Sequence, residues 1–164
     1  MSVPILRIVI FLLLAAFAQG QTVAPTDNCA QTKKENLSAG QFYLKLGDCY
    51  LKLKDNAKAI DAYLKSAQYS PQPAKAYFNI CVVMYNVGDT ARAESTCKLA
   101  IKFDPNRADA YFVLGSVLFA ESPIASYGKV QPLEGTREAL NKYLELAPDG
   151  PHAEDVKAML KMLN

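Results

Sequence analysis

A repeating period constrains this chain more than any other feature. Tyr43, Tyr77 and Tyr111 are evenly spaced, and an aliphatic–small pair follows three positions after each: Leu46-Gly47, Ile80-Cys81 and Leu114-Gly115. Ala59 and Ala93 keep the same interval, as do Pro71 and Pro105. Four features in one register identify a chain built from copies of one supersecondary unit, with a period of about 34 residues. A single unit of that size cannot cover its own apolar faces, so neighbouring units must stack.

The residue types say what the unit is. Gly40–Lys54 and Asn56–Tyr69 each carry apolar residues at helical spacing, with a break at Lys54-Asp55. Two antiparallel helices approach closely only where facing side chains are small, and Gly47 and Ala59 supply that contact. Tyr43, Leu46, Tyr50 and Tyr63 then fill the space on either side. Pro71 ends the second helix, because proline donates no backbone hydrogen bond and disfavours helix in the residue before it.

The run Tyr-x-x-Leu-Gly-x-x-Tyr, then Ala-Ile-x-x-Tyr, then Pro resembles a tetratricopeptide repeat. That resemblance implies an all-α, three-repeat helix-hairpin solenoid wound as a right-handed superhelix. The repeats fall at about 40–73, 74–107 and 108–149 within a domain spanning 37–164. The second repeat departs from the pattern, with Cys81, Met84 and Cys97 at the positions of the small glycine and the two aromatics. The third is interrupted. The small residue of its second helix is Ala139, well past where the interval from Ala59 to Ala93 would put it, which places an insert at about 122–135. Its Pro and Gly punctuation and the Tyr127-Gly128 turn are compatible with a small β-hairpin. An interrupted repeat followed by the run Tyr-Leu-Glu-Leu-Ala-Pro-x-Gly-Pro is similar to bacterial secreted or periplasmic members of the family. Segment 151–163 starts on Pro151 and carries Val156, Met159, Leu160 and Leu163 as one apolar stripe, which reads as a helix capping the solenoid.

Residues 1–20 have a different character. Arg7 is their single charged side chain, and Ile8 to Ala18 is an unbroken apolar run followed by small and polar residues. This is the layout of a cleavable secretory signal, and the run is well short of the roughly 20 residues a spanning helix needs. Cys29 lies beyond the run without a lipobox before it, and 21–36 reads as a polar lead-in. The expected location is periplasmic or secreted, without stable membrane insertion after cleavage. Removing Arg7 from the formal net charge of +2 leaves +1, too little to grip nucleic acid or anionic lipid.

All four cysteines lie past the signal, in a compartment where disulfides form. Repeat geometry sets Cys81 at the close-contact slot of one helix and Cys97 on its antiparallel partner, and Cys49 on the outward side of the first helix where the segment carrying Cys29 can dock. The expected pairs are Cys29–Cys49 and Cys81–Cys97. The alternative for Cys81 and Cys97 is a pair of buried small apolar groups. The chain has no Cys-x-x-Cys or Cys/His cluster and one histidine, His152, so no metal site, cofactor or hydrolytic triad is expected. No glycine-rich phosphate loop is present either. The triplet Asn36-Leu37-Ser38 matches an N-glycosylation sequon, of consequence only in a eukaryotic secretory pathway.

The resemblance also implies a concave surface lined by the first helix of each repeat. Leu44, Asp48 and Leu51 fall there from the first repeat, with Gln41 beside them. Lys75, Phe78, Asn79, Val82 and Tyr85 come from the second. Phe112, Ser116 and Phe119 come from the third, with Asp109. Some members of the family hold a chaperone tail's carboxylate with Lys, Asn and Arg; here Asn79 alone matches such a slot, and Leu44, Asp48, Asp109 and Val113 occupy the others. The expectation is a non-catalytic module of the cell envelope that binds a protein or peptide through an apolar groove, with no nucleic acid and no small-molecule substrate. The alternatives are a structural subunit of an envelope assembly that self-associates, and a groove covered by the chain's own lead-in, insert or final helix.

Overall fold

In a computed structural model of the chain, Cys29, residues 36–125 and residues 130–163 are described. The signal segment, nearly all of the lead-in and the Tyr127-Gly128 turn lie outside the described residues. Among the described residues there are seven helices: α1 (Ala39–Lys52), α2 (Asn56–Tyr69), α3 (Ala74–Asn86), α4 (Thr90–Phe103), α5 (Ala108–Ala120), α6 (Thr136–Leu146) and α7 (Ala153–Met162). Consecutive helices pack as the hairpins α1–α2, α3–α4 and α5–α6, and successive hairpins stack through α2–α3 and α4–α5. The result is a three-repeat helix-hairpin solenoid, with the third repeat split by the insert. No described helix is long and apolar enough to cross a membrane.

Local chemistry repeats with the fold. Asp55 and Asp89 occupy the same place in successive repeats and each caps a second helix, its carboxylate accepting from the backbone N–H of Lys58 (3.1 Å) or Arg92 (3.0 Å). The turn residues before them, Lys54 and Gly88, are both left-handed (φ 60° and 79°), a conformation that glycine adopts without penalty and lysine does not. At the start of α1, Ser38 and Gln41 exchange backbone and side-chain bonds in a capping box. The Tyr43 ring stacks on Tyr69, and one repeat later Tyr77 stacks on Phe103, both at 5.6 Å between centroids.

The hairpin crossing is filled differently in each repeat. In the first, Gly47 lies directly under the fully buried Tyr63 ring, and a Cβ at 47 would overlap that ring. In the second, the equivalent residues are Cys81 and Cys97, whose sulfurs are bonded with Cα atoms 5.1 Å apart. In the third, Gly115 faces Leu140, 2.6 Å from where its Cβ would stand. The main core runs along all three crossings, and a smaller cluster around Leu140, Tyr143, Ala153, Val156 and Leu163 seals the end of the solenoid. A second bonded sulfur pair, Cys29 with Cys49 (Cα–Cα 5.7 Å), pins part of the lead-in against α1, with Cys29 fully buried.

The capping stripe divides in two: Val156 and Leu163 are buried, and Met159 and Leu160 pack partly buried against the same end cluster. An Arg137 guanidinium N–H donates to the Leu163 carbonyl and ties α6 to the end of α7. In the insert, an antiparallel bridge joins Ile124 and Val130 on either side of the turn that lies outside the described residues.

Gly47→Ala is expected to destabilise the protein by about 1–3 kcal/mol in urea unfolding, because the buried Tyr63 ring cannot retreat; Gly115→Ala should cost less, since a flexible Leu140 side chain can. Replacing either cysteine pair with serine should cost about 3 kcal/mol for loops of this length, and non-reducing peptide mapping should recover both pairs. The cap hydrogen bonds hold the Asp55 and Asp89 carboxyls below their usual pKa, the backbone bond from Lys58 or Arg92 being the largest cause. That stabilisation is complete above the unfolded value near 3.9 and is lost as pH falls through the lower folded value. Asp55→Ala with Asp89→Ala should therefore lower stability at neutral pH and flatten its loss between pH 5 and 3, as read by thermal melts.

Candidate peptide groove on the first-helix face

The first helices α1, α3 and α5 carry the residues that sequence places on a concave surface, and the structure sorts them into three groups. Lys75, Leu51 (37% exposed) and Tyr85 (39% exposed) stand open to solvent. Leu44, Phe78 and Val82 are half-buried, packed on the main core with one side still accessible. Together these six form an apolar strip across the first two repeats, with one lysine at its α3 end.

Asp48 and Asn79 are also half-buried, but they are bonded to each other. Asp48 Oδ1 accepts from the Tyr63 hydroxyl (2.8 Å) and from Asn79 Nδ2 (3.3 Å). Burial, and then the hydrogen bond to Asp48, raise the Tyr63 hydroxyl's pKa well above its ordinary value, so it remains a donor. This three-way bridge joins α1, α2 and α3, and it commits to the fold the two polar side chains that face the groove.

The third repeat corrects the sequence expectation. Ser116 is buried (5% exposed), and its hydroxyl donates to the Phe112 carbonyl at 2.8 Å, so it lies beneath the surface rather than on it. Phe112 and Phe119 are half-buried and pack into the end cluster with Val130 of the insert and Met159 and Leu160 of α7. The His152 ring stacks flat on Phe112, with centroids 3.8 Å apart and planes 2° apart. His152 is held there because its backbone N–H donates to the Tyr143 hydroxyl at 2.9 Å. The chain's own turn between α6 and α7 thus covers the third-repeat end of the groove.

Two residues that sequence reasoning missed complete the surface. Arg107 precedes α5 and lies over the Phe78 ring (5.4 Å), with its terminal nitrogen 3.3 Å from Asp104. His152 precedes α7 and lies over Phe112. Each phenylalanine is covered by the residue just before the next first-type helix. The signal was available in the equal repeat positions of Phe78 and Phe112 and in the polar residue ahead of Ala108 and Ala153. Among the described residues no group of three or more His, Cys, Asp or Glu is placed to hold a metal.

Comparison with known proteins agrees with this architecture. Residues 40–73 match the family model for the tetratricopeptide repeat. A small glutamine-rich tetratricopeptide repeat-containing protein 2 of Mycosarcoma maydis is 27% identical over 114 residues, covering 67% of this chain and 32% of its own. This chain therefore spans about a third of the length of that curated relative. Among solved structures, the first TPR domain of human RPAP3 superimposes with a TM-score of 0.63 at 23% identity, covering 76% of this chain and 92% of that one. The first TPR of Spaghetti (RPAP3) bound to the HSP90 peptide SRMEEVD gives 0.64 at 23% identity, with 76% and 93% covered. The TPR2B domain of yeast Sti1 in its pHsp70 complex gives 0.62 at 20% identity, with 76% and 95% covered. The fold is that of a tetratricopeptide-repeat domain. The sequence similarity to a bacterial secreted subset has no counterpart in these comparisons, where the curated relative is fungal.

Proposed function

We propose that this protein is a non-catalytic interaction module that binds an apolar peptide or helix of a partner protein along the first two repeats. The observation that carries the reading is the open strip of Leu51 and Tyr85 beside Leu44, Phe78 and Val82. Side chains of this kind, left accessible in a row on paired helices, fit the apolar face of an amphipathic helix or an extended apolar segment. Similarly folded domains, one solved with an HSP90 peptide and one in a pHsp70 complex, support peptide binding as a use of this fold.

The bound peptide differs from those in chemistry. The HSP90 segment SRMEEVD carries three acidic residues among its last four positions. Here the surface offers Asp48, already bonded to Tyr63 and Asn79, and Asp109 at the start of α5. Of its two cations, Arg107 is paired with Asp104 and Lys75 stands alone at one end, so charge of both signs is present and the apolar side chains between them make an apolar ligand the better match.

The compartment we propose is an oxidising one outside the cytoplasm, the periplasm or the exterior of a cell envelope. The apolar run at 8–18 and the two sulfur pairs support it. A second reading, a structural subunit that self-associates, draws on the outer face. There Leu64 and Tyr69 of α2 and Leu99 and Phe103 of α4 are 49%, 53%, 36% and 49% exposed.

Leu51→Asp with Tyr85→Asp tests the groove without touching the core. Crosslinking in extracts of the native host should capture a partner with the wild-type chain, and the double variant should bind it at least about 30-fold more weakly, as for loss of an interface hot spot. Equal capture by the variant would overturn the groove reading. Loss of capture in Leu64→Asp with Leu99→Asp, together with a fall from dimer to monomer in light scattering, would favour the self-associating subunit. His152→Ala, which uncovers Phe112, should extend the groove and tighten binding of the captured segment.

A further inference from the structure

The chain carries a site that the peptide groove does not explain. Between α4 and α6, floored in part by α5, lies a cleft of about 590 Å³. Its floor is apolar, made by Ile101, Leu114 and Leu118 with the Tyr111 ring. Its rim carries Glu94 and its ion-pair partner Lys98 on α4, Glu134 just ahead of α6 and Glu138 in the first turn of α6, so two of its three carboxylates have no cation beside them in the lining. Glu94 is paired with Lys98 one turn away at 2.6 Å. Glu134 and Glu138 both stand exposed to solvent.

The repeat register shows that this acidity is not part of the generic unit. Aligning Ala139 on Ala93, the positions of Glu134 and Glu138 are held in the preceding repeat by Gly88 and Arg92. The position of Glu94 is held one repeat earlier by Ile60. Glu134 and Glu138 are therefore particular to the third repeat, next to the insert that sets it apart. The whole chain carries a formal charge of +2, so the negative potential here is local and owes nothing to net charge.

We propose that this cleft docks a short basic–apolar segment of a partner polypeptide, with a Lys or Arg head on the Glu134 and Glu138 carboxylates and aliphatic carbon on the floor. The volume lies within the range of ordinary ligand sites and exceeds what one side chain needs. A long cationic side chain suits the site because it buries its hydrocarbon stem while its charged head remains at the wet rim. The site shares no lining residue with the first-helix strip, so the protein would present two docking surfaces of different character.

The probe is a fluorescein-labelled peptide of alternating Leu and Lys, titrated against the full chain and read by fluorescence anisotropy. Binding should weaken about tenfold or more in Glu134→Lys with Glu138→Lys, where two attractions become repulsions, and less in the Gln pair at the same positions. Both residues lie at the rim rather than in the core, so the variants should keep the wild-type helical spectrum. In a Leu51→Asp with Tyr85→Asp background, the loss of affinity caused by the Glu134→Lys with Glu138→Lys pair should be undiminished, which separates the two sites. Unchanged affinity in the Lys variant overturns the proposal, as does equal affinity for a Gly–Lys probe that lacks the aliphatic groups. Glutamate-dependent binding of spermidine alone, with no binding of the Leu–Lys peptide, overturns it in favour of a small-molecule amine.

Discussion

The close approach of two helices within each hairpin is the contact on which the rest of this structure depends. Helix axes come this near only where one partner gives up its side chain, and three solutions occur at the same place in successive repeats. A glycine lies under a tyrosine ring, a pair of cysteines is bonded, and a glycine lies under a leucine. Because the crossing is fixed at Gly47, Cys81 and Gly115, the first helices present the same face three times. The aromatic stacks Tyr43–Tyr69 and Tyr77–Phe103 follow from that registration, as do the aspartate caps. In a solenoid each unit touches only its neighbours, so geometry set inside one hairpin is transmitted by stacking rather than by distant contacts.

Much of this was legible in the sequence because the repeat states each instruction more than once. The recurring tyrosines, small contact residues and prolines placed the helices closely, since the ends of each helix recur with them. The insert announced itself through the late arrival of Ala139. The surface was less legible. Asp48 and Asn79 read as groove residues by position, but their bonding depends on the Tyr63 hydroxyl arriving from the paired helix, which no spacing along one helix reports. Ser116 read as surface because its helix face is right, yet it is buried, and a hydroxyl that returns to its own helix backbone is satisfied there. His152 lay in a turn with no periodicity to betray that its ring would rest on Phe112.

The two sides of the third repeat carry different consequences of one insertion. On the inner side, the insert and α7 fold over Phe112 and Phe119 and shorten the open groove to two repeats. On the other side, Glu134 just ahead of the resumed helix and Glu138 in its first turn lie at the lip of the cleft against α4. A lengthened connection is inexpensive for a solenoid, because closing a longer loop adds only a slowly growing entropy cost. The repeat can therefore be altered at one turn without disturbing its crossing at Gly115.

The bonded sulfurs at Cys81 and Cys97 bear on how the chain endures rather than on how it binds. They brace the middle unit from within, and Cys29–Cys49 braces the first, while among the described residues the third relies on packing and on the Arg137 tie to Leu163. A stack whose members are unequally braced does not open uniformly, since each hairpin's persistence is its own stability plus that of its interfaces. The unbraced end is where the ring that covers Phe112 is held, by α7 and the turn before it. Were α7 alone to swing away, α5 would keep its place against α4 and offer a third-repeat phenylalanine to a partner.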